Sequence, residues 1–289
     1  MRDCVVFVGS FTRDVINGVH AIGGPPYYGS IALVHYGCET IMVVSPVEEQ
    51  HVEFAESMGL ELIAVEGGVP VFELRYLNEV DREVRLLRRG PAIRVPDAIL
   101  KTLRGCAVVA SPVYREVDLK TLQSLRSHAS VLAVDVQGFV RSVDGGGRVS
   151  IRWSDEVYEV VKLADVYHAD LSEVPMFSSM REAVEHLAGR SRGIAMVSHG
   201  EEGLMASIDG EIVYVPALPG ISGNSTGTGD ILLAVAAYEI HRGTEPLKAV
   251  AMGAAAAGLR VSRDRPPWFN RFEVEVLAEK LVKMSRRLG

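Results

Sequence analysis

The chain has 289 residues, of which 48% are hydrophobic and 23% are charged. This is the composition of a globular protein that can bury a full core. The formal net charge of -7 argues against broad binding to nucleic acid or to anionic membranes, because such binding needs clustered positive charge. We therefore predict small-molecule ligands, with neither nucleic acid nor a membrane as a partner.

The apolar segments are too short for export or for membrane insertion. The N-terminal run from Cys4 to Val8 has only strand length and lacks the basic flank of a signal peptide. Residues 231–238 and 249–259 fall short of the roughly 20 residues that a membrane span needs, so we interpret both as buried helices. The sequence thus predicts a cytoplasmic protein.

The three cysteines, Cys4, Cys38 and Cys106, are far apart along the chain. They show neither the close spacing of a zinc site nor that of a disulfide framework. We expect three separate buried thiols in a reducing compartment.

Short β-branched runs alternate with longer amphipathic segments along the chain. Their continuous rather than alternating hydrophobicity is typical of a mostly parallel sheet covered by helices on both faces, that is, an α/β sandwich in a single domain. Sites in such folds lie at the carboxyl ends of the strands. The predicted strands are 5–8, 40–45, 108–110, 131–136, 166–168 and 195–198.

Residues 69–89 break this rhythm, since they alternate roughly at period 2 on either side of a polar turn at 78–81. This pattern predicts a β-hairpin. Its place between two strand–helix units favours a flap over a site, although an ordinary edge hairpin fits the pattern equally well.

The segment 222–230, Ser-Gly-Asn-Ser-Thr-Gly-Thr-Gly-Asp, precedes a strongly apolar run. Its glycines let backbone N–H groups converge, and a helix that begins near Gly227 would add its positive end, so a phosphate can bind there. Asp230 then lies in the first turn of that helix. Donors for developing negative charge beside a carboxylate base are what phosphoryl transfer to a hydroxyl requires.

Asp14 follows the first predicted strand, and Gly23 and Gly24 lie about ten residues further on. A carboxylate that accepts hydrogen bonds from vicinal hydroxyls, beside glycines that let the backbone approach a ring, suits a polyol. A solvated loop with a plain turn is the alternative for each piece taken alone.

A second set of polar residues lies at and just after the end of the strand at 131–136, namely Asp135, Gln137 and Arg141. The first two can hydrogen-bond hydroxyls and the arginine can neutralise phosphate charge. A salt-bridged loop is an equally good interpretation.

Asp170 and Glu173 are three residues apart at the end of another strand. On one helical face they can hold Mg²⁺ through water, although spacing alone favours a helix cap with an acidic first turn. His168 and His199 lack a nucleophile partner and are interpreted as structural.

The segment 198–203 follows a further strand, and its glycines let a flat base such as adenine lie against the backbone, although taken alone it is a turn. The chain contains neither a G-x-x-x-x-G-K-[ST] P-loop nor a strand-linked G-x-G-x-x-G motif. The lack of both motifs argues against a P-loop fold and against a Rossmann fold.

Taken in this order, these motifs resemble the PfkB, or ribokinase-like, carbohydrate kinase family over essentially the full length. Residues 224–230 look like the family signature D-T-x-G-A-G-D. The resemblance implies a ribokinase-like three-layer fold with Asp230 as the base, and a small β lid formed by about 12–24 and 69–90. It implies that the anion hole consists of Gly227, Thr228 and Gly229, and that the nucleotide lies at Ser198, Gly200, Gly203, Asn224, Ser225 and Thr226.

The resemblance also implies ATP as donor and Mg²⁺ at Asp170 and Glu173, where the family has N-x-x-E. Asn224 replaces the first aspartate of the signature, which helps to build a monovalent-cation site in relatives, so we expect weak K⁺ activation. Lid hairpins of this family often pair between subunits, which makes a homodimer the expectation.

Residues 23–28, Gly-Gly-Pro-Pro-Tyr-Tyr, with residues 135–141 look most like the myo-inositol kinase branch. An aromatic residue, Tyr28, stands where ribokinases carry a hydroxyl-binding amide. We therefore expect a kinase that phosphorylates a small polyol or sugar, myo-inositol before others. The alternatives are a ribose, nucleoside or other sugar kinase of the same fold, and a sugar- or nucleotide-binding regulator without turnover.

Overall fold

The computed structural model describes residues 2–76, 82–191 and 193–288. The strands within them are β1 (Cys4–Val8), β2 (Thr12–Ile16), β3 (Val19–Gly23), β4 (Thr40–Pro46), β5 (Glu61–Val65), β6 (Val71–Tyr76), β7 (Arg82–Arg88), β8 (Ala107–Ala110), β9 (Val131–Asp135), β10 (Arg141–Val143), β11 (Val149–Ile151), β12 (Val166–Asp170), β13 (Ile194–Ser198), β14 (Leu204–Ile208), β15 (Glu211–Val215) and β16 (Arg286–Leu288).

The helices in the same ranges are α1 (Pro25–Tyr36), α2 (Glu49–Ser57), α3 (Asp97–Thr102), α4 (Leu119–Arg126), α5 (Gln137–Val140), α6 (Glu156–Leu163), α7 (Met180–Ala188), α8 (Thr228–His241), α9 (Pro246–Val261) and α10 (Arg271–Met284). Two short 3-10 helices cover Leu171–Glu173 and Gly200–Glu202. No helix in these ranges is both long enough and apolar enough to cross a membrane.

The central sheet has ten strands in the order β16-β15-β14-β13-β12-β9-β8-β1-β4-β5. The pairs from β13 through β5 are parallel, and β14, β15 and β16 pair in antiparallel fashion. Strands β1, β8 and β9 are buried at every position, because a separate apolar core covers each face of the sheet. The α/β/α sandwich is confirmed, and every predicted strand lies in this sheet.

Four strands form a separate sheet in the order β3-β2-β6-β7. It contains most of the two segments that were predicted as a lid, 12–24 and 69–90. The turn predicted at 78–81 lies outside the described residues. The sheet packs through Phe72 and Leu86 against Val113 and the short hairpin β10–β11. That it closes over a bound ligand stays a prediction.

Helix α8 is the buried helix predicted after Asp230. Its residues 231–238 are all buried, because the helix packs between α1, α9 and the central strands β8, β9 and β12. Apolar side chains on every face hold the helix in one place. The first turn of α8 is thereby fixed at the carboxyl ends of β9 and β12.

The prediction of three unpaired cysteines is wrong for two of them. Cys4 and Cys106 form a disulfide, and Cys38 is a free, buried thiol. Strands β1 and β8 are parallel neighbours with Val5 opposite Ala107, so the preceding residues of the two strands meet. The pairing joins residues 102 positions apart, which spacing in the sequence does not reveal. The inference of a reducing compartment from unpaired cysteines loses its basis.

Replacing Cys4 and Cys106 together with serine is expected to lower the free energy of unfolding by about 2–4 kcal/mol, because the unfolded chain regains the entropy that the cross-link removes. Thermal unfolding of the parent and the double variant, with and without reductant, measures the loss. Cys38→Ala is the control, since it leaves the disulfide intact. Identical unfolding of the parent and the double variant would contradict the prediction.

Candidate active site

The turn at the N-terminus of α8 has the geometry predicted for an anion site. Gly227 is the N-cap residue with φ of 82°, in the left-handed region that favours glycine. The turn is closed by Thr228, whose N–H and hydroxyl both donate to the Ser225 carbonyl at 3.2 and 2.8 Å. Asp230 follows in the first turn of the helix.

Two N–H groups of this turn are available to an external acceptor. Within the described residues, no hydrogen-bond acceptor is found for the amides of Gly227 and Gly229, whereas that of Thr228 is used inside the turn. The first N–H groups of a helix have no intrahelical partner and carry partial positive charge. The predicted anion hole therefore has two available donors of its three.

Asp230 is half-buried, so water only partly reaches it. Burial raises the pKa of its carboxyl to about 8, and the negative charges of Asp135 and Glu173 add to this shift. His168 and Arg141 oppose it with positive charge. A carboxylate with a pKa near neutrality is suited to accept a proton from a hydroxyl.

Asp14 and Gly23 contact each other across the hairpin β2–β3. The sequence placed Asp14 just beyond the carboxyl end of the first strand, and it lies within the next strand, β2, where Thr12 Oγ1 donates to its carboxylate at 2.8 Å. A Cβ on Gly23 would lie 2.2 Å from Asp14 Oδ2. Only glycine leaves this carboxylate room at that position.

Gly24 and Tyr28 connect the Asp14 hairpin to the α8 turn. Gly24 is the N-cap residue of α1 with φ of 88°, and Tyr28 lies in the first turns of that helix. A Cβ on Gly227 would lie 2.2 Å from Tyr28 Cγ, so the ring lies directly against the anion-hole turn. Burial raises the pKa of Tyr28, and so do the negative charges of Asp14 and Asp230.

Asp135 ends β9 and is 2% exposed. Its Oδ1 accepts from the Gln137 backbone N–H at 2.8 Å, and its Oδ2 accepts from His168 Nδ1 at 2.8 Å. Because both oxygens are engaged and covered, Asp135 has little surface left for hydroxyls. Its predicted contact with an acceptor stays a prediction, and its charge acts on Asp230 from below.

Arg141 and Gln137 lie beside this cluster. Arg141 Nη1 donates to the Val113 carbonyl at 3.2 Å, and its guanidinium lies over the Phe72 ring, 5.6 Å from the centroid. Its positive charge opposes the rise in the pKa values of Asp230 and Glu173. Gln137 begins α5 and is half-buried.

Asp170 and Glu173 form the helix cap that the spacing suggested. Asp170 Oδ1 accepts from the Ser172 N–H and hydroxyl at 3.0 and 2.6 Å, and Glu173 Oε2 accepts from the Asp170 N–H at 3.0 Å. One oxygen of each carboxylate lies outside these bonds. Burial and the charge of Asp135 raise the pKa of Glu173.

The capped pair fits Mg²⁺, although the described residues contain no group of three or more His, Cys, Asp or Glu side chains that could hold a metal. Mg²⁺ commonly keeps several waters and uses one or two carboxylates together with substrate phosphates. A complete protein cage is therefore not needed, and metal binding here stays a prediction.

The residues predicted for the nucleotide lie along the rim of the same end of the sheet. Ser198 ends β13, and Gly203, with φ of 82°, leaves a virtual Cβ only 2.5 Å from the Val215 carbonyl. Gly200 is exposed with open space around it. Asn224 and Ser225 are also exposed, and Asn224 Oδ1 accepts from the Thr226 N–H at 2.9 Å. The side-chain amide of Asn224 thus shapes this turn.

His168 lies beside the candidate site, although the sequence indicated only a structural histidine. As predicted, both its nitrogens are satisfied, but their partners are Asp135 and Ser198 Oγ, the latter at 2.9 Å. Burial disfavours the charged ring, yet the hydrogen bond and charge of Asp135, with the charges of Glu173 and Asp170, raise its pKa overall. Its place two residues before Asp170, on the same face of β12, is the signal that pointed towards the site.

Comparison with known proteins finds similarity to one family of kinases. Residues 151–266 match the pfkB family carbohydrate kinase. An inositol 3-kinase of Zea mays is 26% identical over 211 residues, which cover 72% of this chain. The chain spans about half, 53%, of that relative's length.

Two solved structures share the fold over nearly the whole chain. A pyrophosphate-dependent kinase in the ribokinase family, complexed with a pyrophosphate analog and myo-inositol, has a TM-score of 0.78 at 22% identity, covering 94% of this chain and 99% of its own. A ribokinase of Arabidopsis thaliana, complexed with ribose and ATP, has a TM-score of 0.70 at 16% identity, covering 96% and 99%. The chain is thus similar to the pfkB, or ribokinase-like, carbohydrate kinases, the family that its motifs resemble.

Proposed function

We propose that this protein is an ATP- and Mg²⁺-dependent kinase that phosphorylates a hydroxyl of a small polyol, with myo-inositol as the first candidate. The observation that carries the proposal is the Asp230 carboxylate, whose pKa is raised to about 8 and which follows Gly229, whose amide has no acceptor among the residues that the structure describes. Base and anion donors thus occupy one turn of one helix.

In this mechanism the acceptor lies between Asp14, the Gly23–Gly24 backbone and Asp230. Asp230 takes the proton of the attacking hydroxyl, whose oxygen forms a bond to the γ-phosphorus while the bond to the β–γ bridging oxygen breaks and ADP leaves. The amides of Gly227 and Gly229 donate to the transferring phosphoryl group, with Arg141 nearby to offset its charge. Closure of the β2–β3–β6–β7 sheet would exclude water.

Asp170 and Glu173 would hold Mg²⁺ through their remaining oxygens and through water. The ion supplies positive charge that neutralises the donor phosphates.

Three observations support a polyol acceptor. The Asp14 carboxylate lies beside Gly23, where it can accept hydrogen bonds from vicinal hydroxyls. An inositol kinase is among the relatives of the chain, and a kinase that binds myo-inositol shares its fold. The stacked pair of Tyr28 and Trp268, with centroids 6.2 Å apart, backs the turn with an apolar wall.

A coupled assay over several acceptors and donors tests the proposal. Myo-inositol, ribose, fructose, ketodeoxygluconate and adenosine are each offered with Mg²⁺ and with ATP, ADP or pyrophosphate as donor. We expect the highest kcat/KM for myo-inositol with ATP. Phosphorylation of ribose or adenosine but not of inositol would overturn the polyol assignment, and no turnover with any pair would overturn the kinase assignment.

The pH dependence should follow the ionisation of Asp230. Because only the carboxylate can accept the hydroxyl proton, kcat/KM is expected to rise with pH up to about 8 and then level off, with a slope approaching tenfold per unit below that value. Burial is the main cause of this raised pKa, the charges of Asp135 and Glu173 add to it, and those of His168 and Arg141 oppose it. Initial rates at low acceptor concentration from about pH 5.5 to about pH 9.5 measure the profile, and a flat profile would contradict the role of Asp230 as base.

A further inference from the structure

We propose that His168 is a positioning residue that supports the backbone of the phosphoryl-transfer turn from below, and that Asp135 acts on the reaction through His168. This inference rests on the proposed function. It assigns a role to two residues whose side chains lie beneath the cleft.

The imidazole bridges three neighbouring strands of the central sheet. His168 lies on β12, Asp135 ends β9 on one side and Ser198 ends β13 on the other. The two ring nitrogens lie 2.8 Å from Asp135 Oδ2 and 2.9 Å from Ser198 Oγ. A carboxylate only accepts, so Nδ1 carries a proton and donates to Asp135. Both ends of the ring are thereby fixed.

The ring lies directly against the turn. A Cβ on Gly229 would be 2.9 Å from His168 Cε1 and 3.4 Å from Nδ1, so the glycine backbone rests on the imidazole with no room for a side chain. Gly229 carries one of the two available anion-hole amides, and Asp230 is the next residue. A shift of the ring therefore moves the Gly229 N–H group, which donates to the phosphoryl group, together with the base Asp230.

Burial makes this support rigid. His168 is 3% exposed and Asp135 is 2% exposed, and the Gln137 N–H holds the second oxygen of Asp135. A buried polar network in which every member is satisfied has one low-energy arrangement. Such a network can hold a reacting group to the tolerance that catalysis requires, where a misplacement of about 1 Å costs on the order of 10²-fold in rate.

His168→Asn tests the support. We expect kcat to fall by about tenfold to 10²-fold, while KM for the acceptor changes by less than about threefold, because the acceptor-binding surface at Asp14 is untouched. The matched control is His241→Asn. His241 is also 2% exposed, and its nitrogens contact Ser130 Oγ at 2.8 Å and the Arg2 carbonyl at 2.7 Å, but it ends α8 far from Asp230. It should lose similar stability and keep the parent kcat.

A double-mutant cycle separates action through His168 from direct contact. If Asp135 acts through the ring, Asp135→Asn lowers kcat alone but adds little in the His168→Asn background. Additive losses, or a rise in the acceptor KM at unchanged kcat for Asp135→Asn, would show that Asp135 binds the acceptor itself and would overturn the inference.

Circular dichroism and thermal unfolding establish that each variant folds. If His168→Asn does not fold, the inference is tested by whether Asp135→Asn lowers kcat or raises the acceptor KM. If the parent is active and His168→Asn keeps kcat within about twofold, this inference alone is overturned. If the parent phosphorylates no acceptor, the proposed function is overturned and this inference with it.

Discussion

Replacing Asp230 with asparagine is expected to lower kcat for phosphorylation of the acceptor by about 10²–10⁴-fold, the range that a positioned general base contributes. Asparagine keeps the size and the hydrogen-bonding oxygen of the side chain but cannot take the proton. The amides of Gly227 and Gly229 remain in place, so donor binding should be retained. Steady-state rates with saturating polyol, ATP and Mg²⁺ measure the loss.

Glu279→Gln is the matched control for Asp230→Asn. It also removes one carboxylate charge, but Glu279 is exposed in α10 and belongs to none of the predicted binding segments. Its kcat should equal that of the parent. Equal rates in Asp230→Asn and in the parent would defeat the role of Asp230 as base.

Replacing Asp230 with asparagine should also stabilise the fold at alkaline pH. The carboxyl has a pKa of about 8 in the native protein against 3.8 for the ordinary group. Between these values the unfolded chain ionises Asp230 while the native state keeps it protonated, so stability falls as pH rises, by up to about 1.4 kcal/mol per unit. Water in the cleft reduces this cost, since Asp230 is not fully buried.

Asp230→Asn removes that pH dependence. We therefore expect the variant to unfold several degrees above the parent at a pH above 8, with the difference shrinking as the pH approaches 4. Thermal unfolding across this range measures it. A variant less stable than the parent at high pH would contradict the raised pKa.

Replacing Gly227 with alanine is expected to lower kcat by about 10²–10³-fold, the loss that follows removal of one anion-hole donor. The new methyl group would lie 2.2 Å from Tyr28 Cγ, in the middle of a ring that α1 and Trp268 hold in place. The turn must move, and the amides of residues 227 and 229 move with it.

Gly220→Ala separates this clash from backbone strain. Gly220 has φ of 71°, close to the 82° of Gly227, but no atom lies within 4 Å of its virtual Cβ. Both variants should lose about 1–2 kcal/mol of stability through a left-handed alanine. Only Gly227→Ala should lose activity as well, and full activity in that variant would show that the turn does not bind the transferring group.

The parts of the site that could be predicted are those formed by neighbours in sequence. The anion turn is one, because glycines, a hydroxyl and an apolar helix within residues 222–238 determine its local conformation. The capping box of Asp170 and Glu173 is another. Each depends on contacts across only a few residues.

The parts that could not be predicted depend on strands brought together by the fold. His168 contacts Asp135 and Ser198 from strands 33 and 30 residues away, and Tyr28 reaches Gly227 from a helix near the other end of the chain. The disulfide joins Cys4 to Cys106 for the same reason. Hydrophobic periodicity shows that a strand is buried but not which strand lies beside it.

The sequence by itself determined the class of the fold, the resemblance to a family of carbohydrate kinases, and the turn that leads into α8, because short-range conformation and a contiguous signature carry that information. Only the tertiary structure decided the ionisation of Asp230, the burial of Asp135 and the place of His168. Those properties arise from how much water and which charges surround a group, and parallel strands distant in sequence set both.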